Sequence, residues 1–296
     1  MQTDAIFLEM YYRLRNFNAK YVKFPLKVIK SSEYRTILKK NQQFKNKYIG
    51  QRCFVLGNGP SIKEEQLTEL KHEHVFVVNQ CSRLDYVKEI QPEFYICIDD
   101  AFFNIDDSNE GDLELLNTFK QLKNISPKME CFFPIEQKER FIEKHGLDQV
   151  LNINYFQRGL SLYHNCKEFA NYTGPVAGFS TVVHNAVSLA LYMGFKEIYL
   201  LGCDNTGIVV TIKTSLNTVS DDEYAYHVTE NEKKRMGRMI EGKFEDYCKA
   251  YYYTVRDYRL LYEYCVQHNV KLVNLSKETV IDSVPRGSLA NMLRKD

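Results

Sequence analysis

"STVVHNAVSLALYMGFKEIYLLGCD", residues 180–204, holds the pattern that organises the chain. Residues 180–193 are apolar on nearly every face and long enough for a buried helix. Gly194 is the expected helix stop, and Glu197–Leu201 is then a short apolar run ending at Gly202. A buried helix feeding a buried strand is one unit of a parallel sheet covered on both faces. The pattern recurs from residue 50 onward. Strands are expected at 53–56, 75–78, 94–98, 131–134, 150–153, 197–201 and 271–274. Helical stretches are expected near 63–71, 84–90, 112–123, 136–145, 180–193 and 232–268. The fold class expected is α/β, a Rossmann-like, mainly parallel sheet with helices on both faces, plus an N-terminal helical extension. The expected division is 1–49 for the extension and 50–296 for the main domain.

In an open α/β sheet, ligands bind beyond the carboxyl ends of the strands. The residues at those ends are therefore the candidate site: Gly57-Asn58-Gly59-Pro60-Ser61, then Asn79-Gln80, then Asp99-Asp100, then Gly202-Cys203-Asp204-Asn205. Gly57 and Gly59 permit close approach of a ligand to the main chain. Ser61 followed by Glu64 fits a capping box, which predicts a helix N-terminus suited to a phosphate. The turn is not a Walker A motif, because no lysine follows at the required spacing. Ile62 replaces the third glycine of a dinucleotide fingerprint. A strand-to-helix turn with no ligand is the plain alternative.

These stretches resemble a known group. "FVLGNGPSIKE", "VFVVNQ" and "GFSTVVHNAVSLALYMGFKEIYLLGCD" are similar to the bacterial lipooligosaccharide sialyltransferases. They also resemble the MptE-like domain family, with its archaeal 6-hydroxymethylpterin diphosphokinases and motility-associated-factor glycosylation proteins. The resemblance covers roughly residues 50–275, with low similarity around 100–170. It implies a GT-A-variant-like fold and a glycosyltransferase using a nucleotide-activated sugar, plausibly a CMP-nonulosonate. The glycan or glycolipid acceptor would belong to a cell-surface polysaccharide or lipooligosaccharide. On this resemblance Gly57, Asn58, Gly59, Ser61, Asn79 and Asp99 contact the donor, Ser180 or Thr181 binds a sialate carboxylate, and Asp204 closes the last turn. His227 corresponds to the base that accepts the acceptor's proton in an inverting attack, a role open to a neutral imidazole. A structural, buried His227 is the alternative. Thr206 stands where the family has a tyrosine for the leaving phosphate, so Tyr224 or Tyr226 would take that role. No cofactor is required on this reading. A diphosphokinase using ATP would instead hold Mg²⁺ at Asp99, Asp100 and Asp204. A nucleotide-binding scaffold without catalysis is the third reading.

Other features are weaker. Eight cysteines without a C-x-x-C pair are expected to be reduced, in a cytoplasmic protein. Glu9, Arg13 and Arg15 interrupt any signal-peptide core, and no run is long enough for a transmembrane helix. A net charge of +1 gives no case for nucleic acid. Residues 1–49, however, carry eleven basic and three acidic side chains, a net +8 that leaves −7 for the rest. Ile6, Met10, Leu14, Phe17 and Tyr21 fall at helical spacing there. That segment either touches an anionic membrane peripherally or packs on the main domain or a partner chain. Oligomerisation is left open. His184 is expected as a core residue, the acidic run Asp106, Asp107, Glu110 and Asp112 as a solvated loop, and Tyr251, Tyr258 and Tyr262 as packing, with sugar stacking by one of them as the functional alternative. Arg286 is expected in a surface turn, with pairing to a donor carboxylate or phosphate as its functional alternative.

Overall fold

The computed structural model describes residues 2–208, 224–239 and 243–293. Among them, eight strands form one sheet in the order β6-β5-β4-β3-β2-β1-β7-β8, with every pairing parallel. The strands are β1 Arg52–Leu56, β2 His74–Val78, β3 Phe94–Ile96, β4 Glu130–Pro134, β5 Asn152–Leu160, β6 Pro175–Ala177, β7 Glu197–Leu201 and β8 Lys271–Asn274. Strand order runs outward from β1 through β6, then returns to place β7 on the other side of β1. The reversal opens a crevice at the carboxyl ends of β1 and β7.

Strand alternation divides the core in two. Phe54, Val75, Val77, Tyr199 and Leu201 face one layer, which also holds the apolar side of α5 (Glu110–Ile125) and Leu38 of α3 (Ser32–Lys39). Cys53, Val55, Phe76, Ile198 and Leu200 face the other, which holds α6 (Val182–Met193) and part of α8 (Phe244–Gln267). Between them in sequence lies α7 (Glu230–Met239), which packs on α5. Helices on both faces and a parallel sheet are as expected.

Several local expectations differ. The helix expected over 63–71 is two 3₁₀ turns, Pro60–Glu64 and Leu67–His72. Ser61 is not a cap. Gly59 holds the cap position without a side-chain bond, and the Ser61 amide is drawn across to another strand end. Over 84–90 the α-helix is only Val87–Ile90 (α4), and 136–145 is a 3₁₀ turn followed by a π-helical turn. The helix expected over 232–268 is α7 and α8. Strand β5 begins at Asn152, because Leu147–Gln149 is a 3₁₀ turn, and it runs on to Leu160. The edge strand β6 was not foreseen. It has three residues and starts on Pro175, a residue tolerated only where one ladder bond is dispensable.

The expected boundary at residue 49 is crossed by buried contacts. Leu38 and Phe44 lie in the two cores. The fully buried Asn41 donates Nδ2 to the carbonyls of Tyr155 (2.7 Å) and Tyr172 (2.8 Å). Before them, α1 (Gln2–Asn18), a π-helical turn (Ala19–Lys23) and α2 (Phe24–Lys30) follow one another directly. Pro25 cannot donate to the carbonyl one turn back, which accounts for the wider turn before it. The eight cysteines are free thiols, and all but Cys248 are buried.

Candidate functional site

A cavity of about 440 Å³ lies at the carboxyl ends of β1, β2, β3 and β7. Its walls include Gly57, Asn58, Gly59, Asn79, Asp99, Thr181, Asp204, Tyr224 and Tyr226, nine of the residues singled out from the sequence. They come together because parallel strands place all their carboxyl ends on one rim.

The β1 turn and the β7 turn are bonded to each other. Gly57 N–H donates to Leu201 O and Gly59 N–H to Gly202 O, both at 2.8 Å. Ser61 N–H donates to Asp204 Oδ2 at 2.8 Å, and Ser61 Oγ donates to Asp204 Oδ1 at 2.5 Å. A Cβ on Gly57 would sit 2.3 Å from the Gly202 carbonyl oxygen, and one on Gly59 would sit 2.7 Å from the Asp204 carboxyl. The two glycines therefore serve the close approach of two turns. This corrects the expected phosphate cradle: the amides of Gly57, Gly59 and Ser61 are already bonded within the protein, and the turn starts no α-helix. Burial raises the Asp204 carboxyl above its ordinary range, while the two Ser61 bonds pull it down.

The β2 side is different. Asn58 Nδ2 donates to Val78 O at 3.2 Å, and Asn58 O accepts from Ala225 N at 2.8 Å. Asn79 adopts a left-handed conformation, φ +49°, in which asparagine is one of the few tolerated side chains. The Oδ1 atoms of both Asn58 and Asn79 are shielded from solvent and accept no hydrogen bond from the described residues. A buried polar atom left without a partner costs about 1–3 kcal/mol, so each oxygen calls for a donor from a bound molecule or water.

The bond from Ala225 to Asn58 draws residues 224–226 over the rim. Tyr224 and Tyr226 stack at 5.2 Å, and the Arg83 guanidinium lies 5.4 Å from the Tyr226 ring centre. Burial pushes the Tyr226 phenol well up, so it stays an O–H donor. His227 is turned the other way. It is exposed between the buried Tyr226 and Val228, and it is not part of the wall. The base expected at His227 is thus not brought to the cavity.

Of the Ser180/Thr181 pair, Thr181 lines the cavity, whereas Ser180 Oγ donates to Asp257 Oδ2 at 3.1 Å. Desolvation pushes the Asp257 carboxyl up to about 6 despite the neighbouring Arg256. The alternative metal set is not assembled either. Asp100 is taken by Arg158 (3.0 Å) and Gln137 (3.2 Å), Asp99 accepts from the Ala101 amide (2.9 Å), and Asp204 is held by Ser61. Among the described residues, no three of His, Cys, Asp and Glu come together as a metal site. Arg286 lies outside the wall, where it binds the carbonyls of Ser276 and Lys277.

Sequence reasoning missed Arg235 and Tyr247, which come from α7 and α8 to complete the wall together with Tyr251, one of the three tyrosines singled out from the sequence. Arg235 is 3% exposed, and its Nε donates to Asp112 Oδ1 at 2.6 Å. Asp112 is thereby a buried ion-pair partner and not part of a solvated loop. Tyr251 lines the cavity, while Tyr258 is fully buried. The signal that could have found Arg235 is an arginine three residues after Glu232, on the same helix face, and both are buried in the structure. His184 is a core residue as expected. Both its ring nitrogens lack a partner among the described residues, and burial lowers it to about 3.

The family model described as "6-hydroxymethylpterin diphosphokinase MptE-like" matches residues 30–206. No curated protein matches the chain. A structure entitled "Structure of MAf glycosyltransferase from Magnetospirillum magneticum AMB-1" is similar with a TM-score of 0.45 and 15% identity. The match covers 87% of this chain and only 38% of that one. The family match takes in β1 through β7 and every rim segment up to Thr206, and on that extent the chain belongs to the MptE-like family.

Proposed function

We propose that this chain is a glycosyltransferase that takes a sugar activated by a nucleoside monophosphate, with CMP-nonulosonate as the donor class. The observation that carries this reading is the pair of unpartnered acceptors, Asn58 Oδ1 and Asn79 Oδ1, at the rim of a parallel sheet. They suit hydroxyl or amino groups of a nucleoside or sugar. Tyr224, Tyr226, Tyr247, Tyr251 and Phe102 add aromatic faces against which a base or sugar ring can lie.

Charge favours a monophosphate donor over ATP. Arg235 is the only Lys or Arg among the described wall residues, and Asp112 and the Ala101 carbonyl already occupy it. A triphosphate needs several cationic partners or a well-held metal ion. A single phosphodiester anion needs far less, and the Tyr226 O–H is a donor for the departing phosphate. Asp204 has both oxygens engaged, which leaves Asp99 as the wall carboxylate to accept the acceptor hydroxyl's proton.

Isothermal calorimetry with CMP, CDP, UDP and ATP, each with Mg²⁺ and with EDTA, tests the reading. Binding of CMP that survives EDTA is the expected result. Selective binding of Mg·ATP, with diphosphate transfer to a pterin alcohol, would replace it with the diphosphokinase reading. Binding without turnover of any donor would leave the scaffold reading.

A further inference from the structure

The helical stripe Ile6, Met10, Leu14, Phe17 and Tyr21 does not face the protein. Side chains on an α-helix advance by about 100° per residue. Taking the buried Tyr12 as the inward direction, Asn16 and Ala19 fall within about 40° of it. Those are the residues that hold α1. Asn16 Nδ2 donates to Ser161 O (2.9 Å), Ser161 N donates to Asn16 Oδ1 (2.7 Å), Ala19 is buried, and Arg256 lies over the Tyr12 ring at 5.2 Å. Met10, Leu14, Phe17 and Tyr21 lie about 140–200° away, directly opposite. They are bare, Leu14 at 68% and Phe17 at 60% exposure.

The pattern continues past the π-helical turn. Among the described residues, eleven of the eighteen large apolar side chains exposed on the surface fall between Ile6 and Ile29. A patch so concentrated marks an interaction surface. Its flanks are cationic: Arg15, Lys23, Lys27 and Lys30 are exposed on the same segment.

We propose that α1 and α2 lie on a bilayer bearing anionic headgroups. The outward stripe enters the headgroup–acyl boundary, and the flanking cations meet the lipid phosphates. Charge decides the occupant. A second copy docked through the same face would bring two stretches of net +4 (residues 2–30, six basic and two acidic side chains) together, whereas an anionic surface is complementary to this one. The helix lies on the surface because its inner face is already occupied by the protein. Among the described residues, no helix is long and apolar enough to cross a membrane. The inference is independent of the chemistry in the cavity.

Flotation of the full chain with vesicles of phosphatidylcholine and phosphatidylglycerol tests it. The chain should rise with the mixed vesicles, and much less with phosphatidylcholine alone or at high salt. Leu14→Asp with Phe17→Asp should weaken binding by about 100-fold, since each removes a large apolar group from the boundary. Both side chains are bare, so thermal unfolding should not change. Arg15→Glu with Lys23→Glu, both exposed side chains, should remove the preference for phosphatidylglycerol. No flotation, or flotation that both variants leave intact, overturns the proposal. So does a dimer in sedimentation that Leu14→Asp and Phe17→Asp split, because a second copy would then cover the face.

Discussion

On the β7 side of the cavity, the residues most conspicuous in the sequence are bonded to the protein itself. Gly57 and Gly59 give their amides to Leu201 and Gly202, and Ser61 gives two hydrogen bonds to Asp204. On the β2 side, Asn58 and Asn79 each keep a shielded carbonyl oxygen without a described partner. The two sides flank β1, which pairs with both β2 and β7, and they differ in one respect. Where two turns must touch, glycine and a carboxylate close the gap between them. On the β2 side the turns also meet, through Asn58 Nδ2 to Val78 O and Ala225 N to Asn58 O, yet the two asparagine Oδ1 atoms are left over. A glycine-rich turn at a strand end is therefore not by itself a ligand cradle, since its amides are available only if no neighbouring strand end claims them.

Four experiments press on that contrast. The largest expected effect is at Asp99, the wall carboxylate whose Oδ1 accepts the Ala101 amide of its own turn rather than a group from a neighbouring strand end. Asp99→Asn should lower turnover by about a thousandfold with CMP affinity nearly unchanged, the size usual for removing a general base. Steady-state kinetics beside calorimetry separates the two. Equal losses in binding and turnover would make Asp99 a donor contact instead.

Next comes Gly57→Ala, on the bonded side. Its new methyl would meet a backbone carbonyl that cannot swing away, at 2.3 Å. The expected loss is about 3 kcal/mol of unfolding free energy, read from urea denaturation. A loss under about 0.5 kcal/mol would mean that the two turns part easily.

A smaller effect is expected behind the cavity, at the Asp257 carboxyl bonded by Ser180. Its folded value of about 6 lies above the ordinary value near 4, so the neutral acid suits the fold. Between those values the folded state holds the proton and the unfolded state has lost it. Stability from this group is complete below about pH 4 and is lost as pH rises toward 6, by about 2 kcal/mol. Asp257→Asn should flatten that part of the pH–stability curve. An unchanged slope would show the carboxyl to be ionised throughout.

The sheet was legible because its strands are short apolar runs, and burial on both faces leaves them little else to be. Strand β6 was not, since three residues carry no period. The turns over 60–72 were misread as an α-helix because their amides are used across the fold, which local spacing does not record. The rim residues Asn58, Asn79, Asp99 and Asp204 followed from the strand-end rule alone. Arg235 and Tyr247 did not, because they arrive from helices far along the chain, and Tyr251 was singled out only as one of three tyrosines on a helix face. In α8 tyrosines occupy so many positions that no face stands out: Tyr251 reaches the cavity, Tyr252 is exposed and Tyr258 is buried. The stripe of α1 was legible as a stripe, but spacing does not say which way it points.

The smallest effect is expected at His227, and it separates resemblance from geometry. The resemblance makes this residue the base. In the structure, Tyr224 and Tyr226 turn into the cavity, Val228 enters the core, and the exposed imidazole between them is not part of the wall. His227→Ala should therefore change turnover by less than about twofold, far short of the hundredfold or more that removing a general base costs. Should turnover fall by that larger factor while CMP still binds, residues 224–228 must rearrange when donor and acceptor are both present, and Asp99 would lose the role assigned to it here.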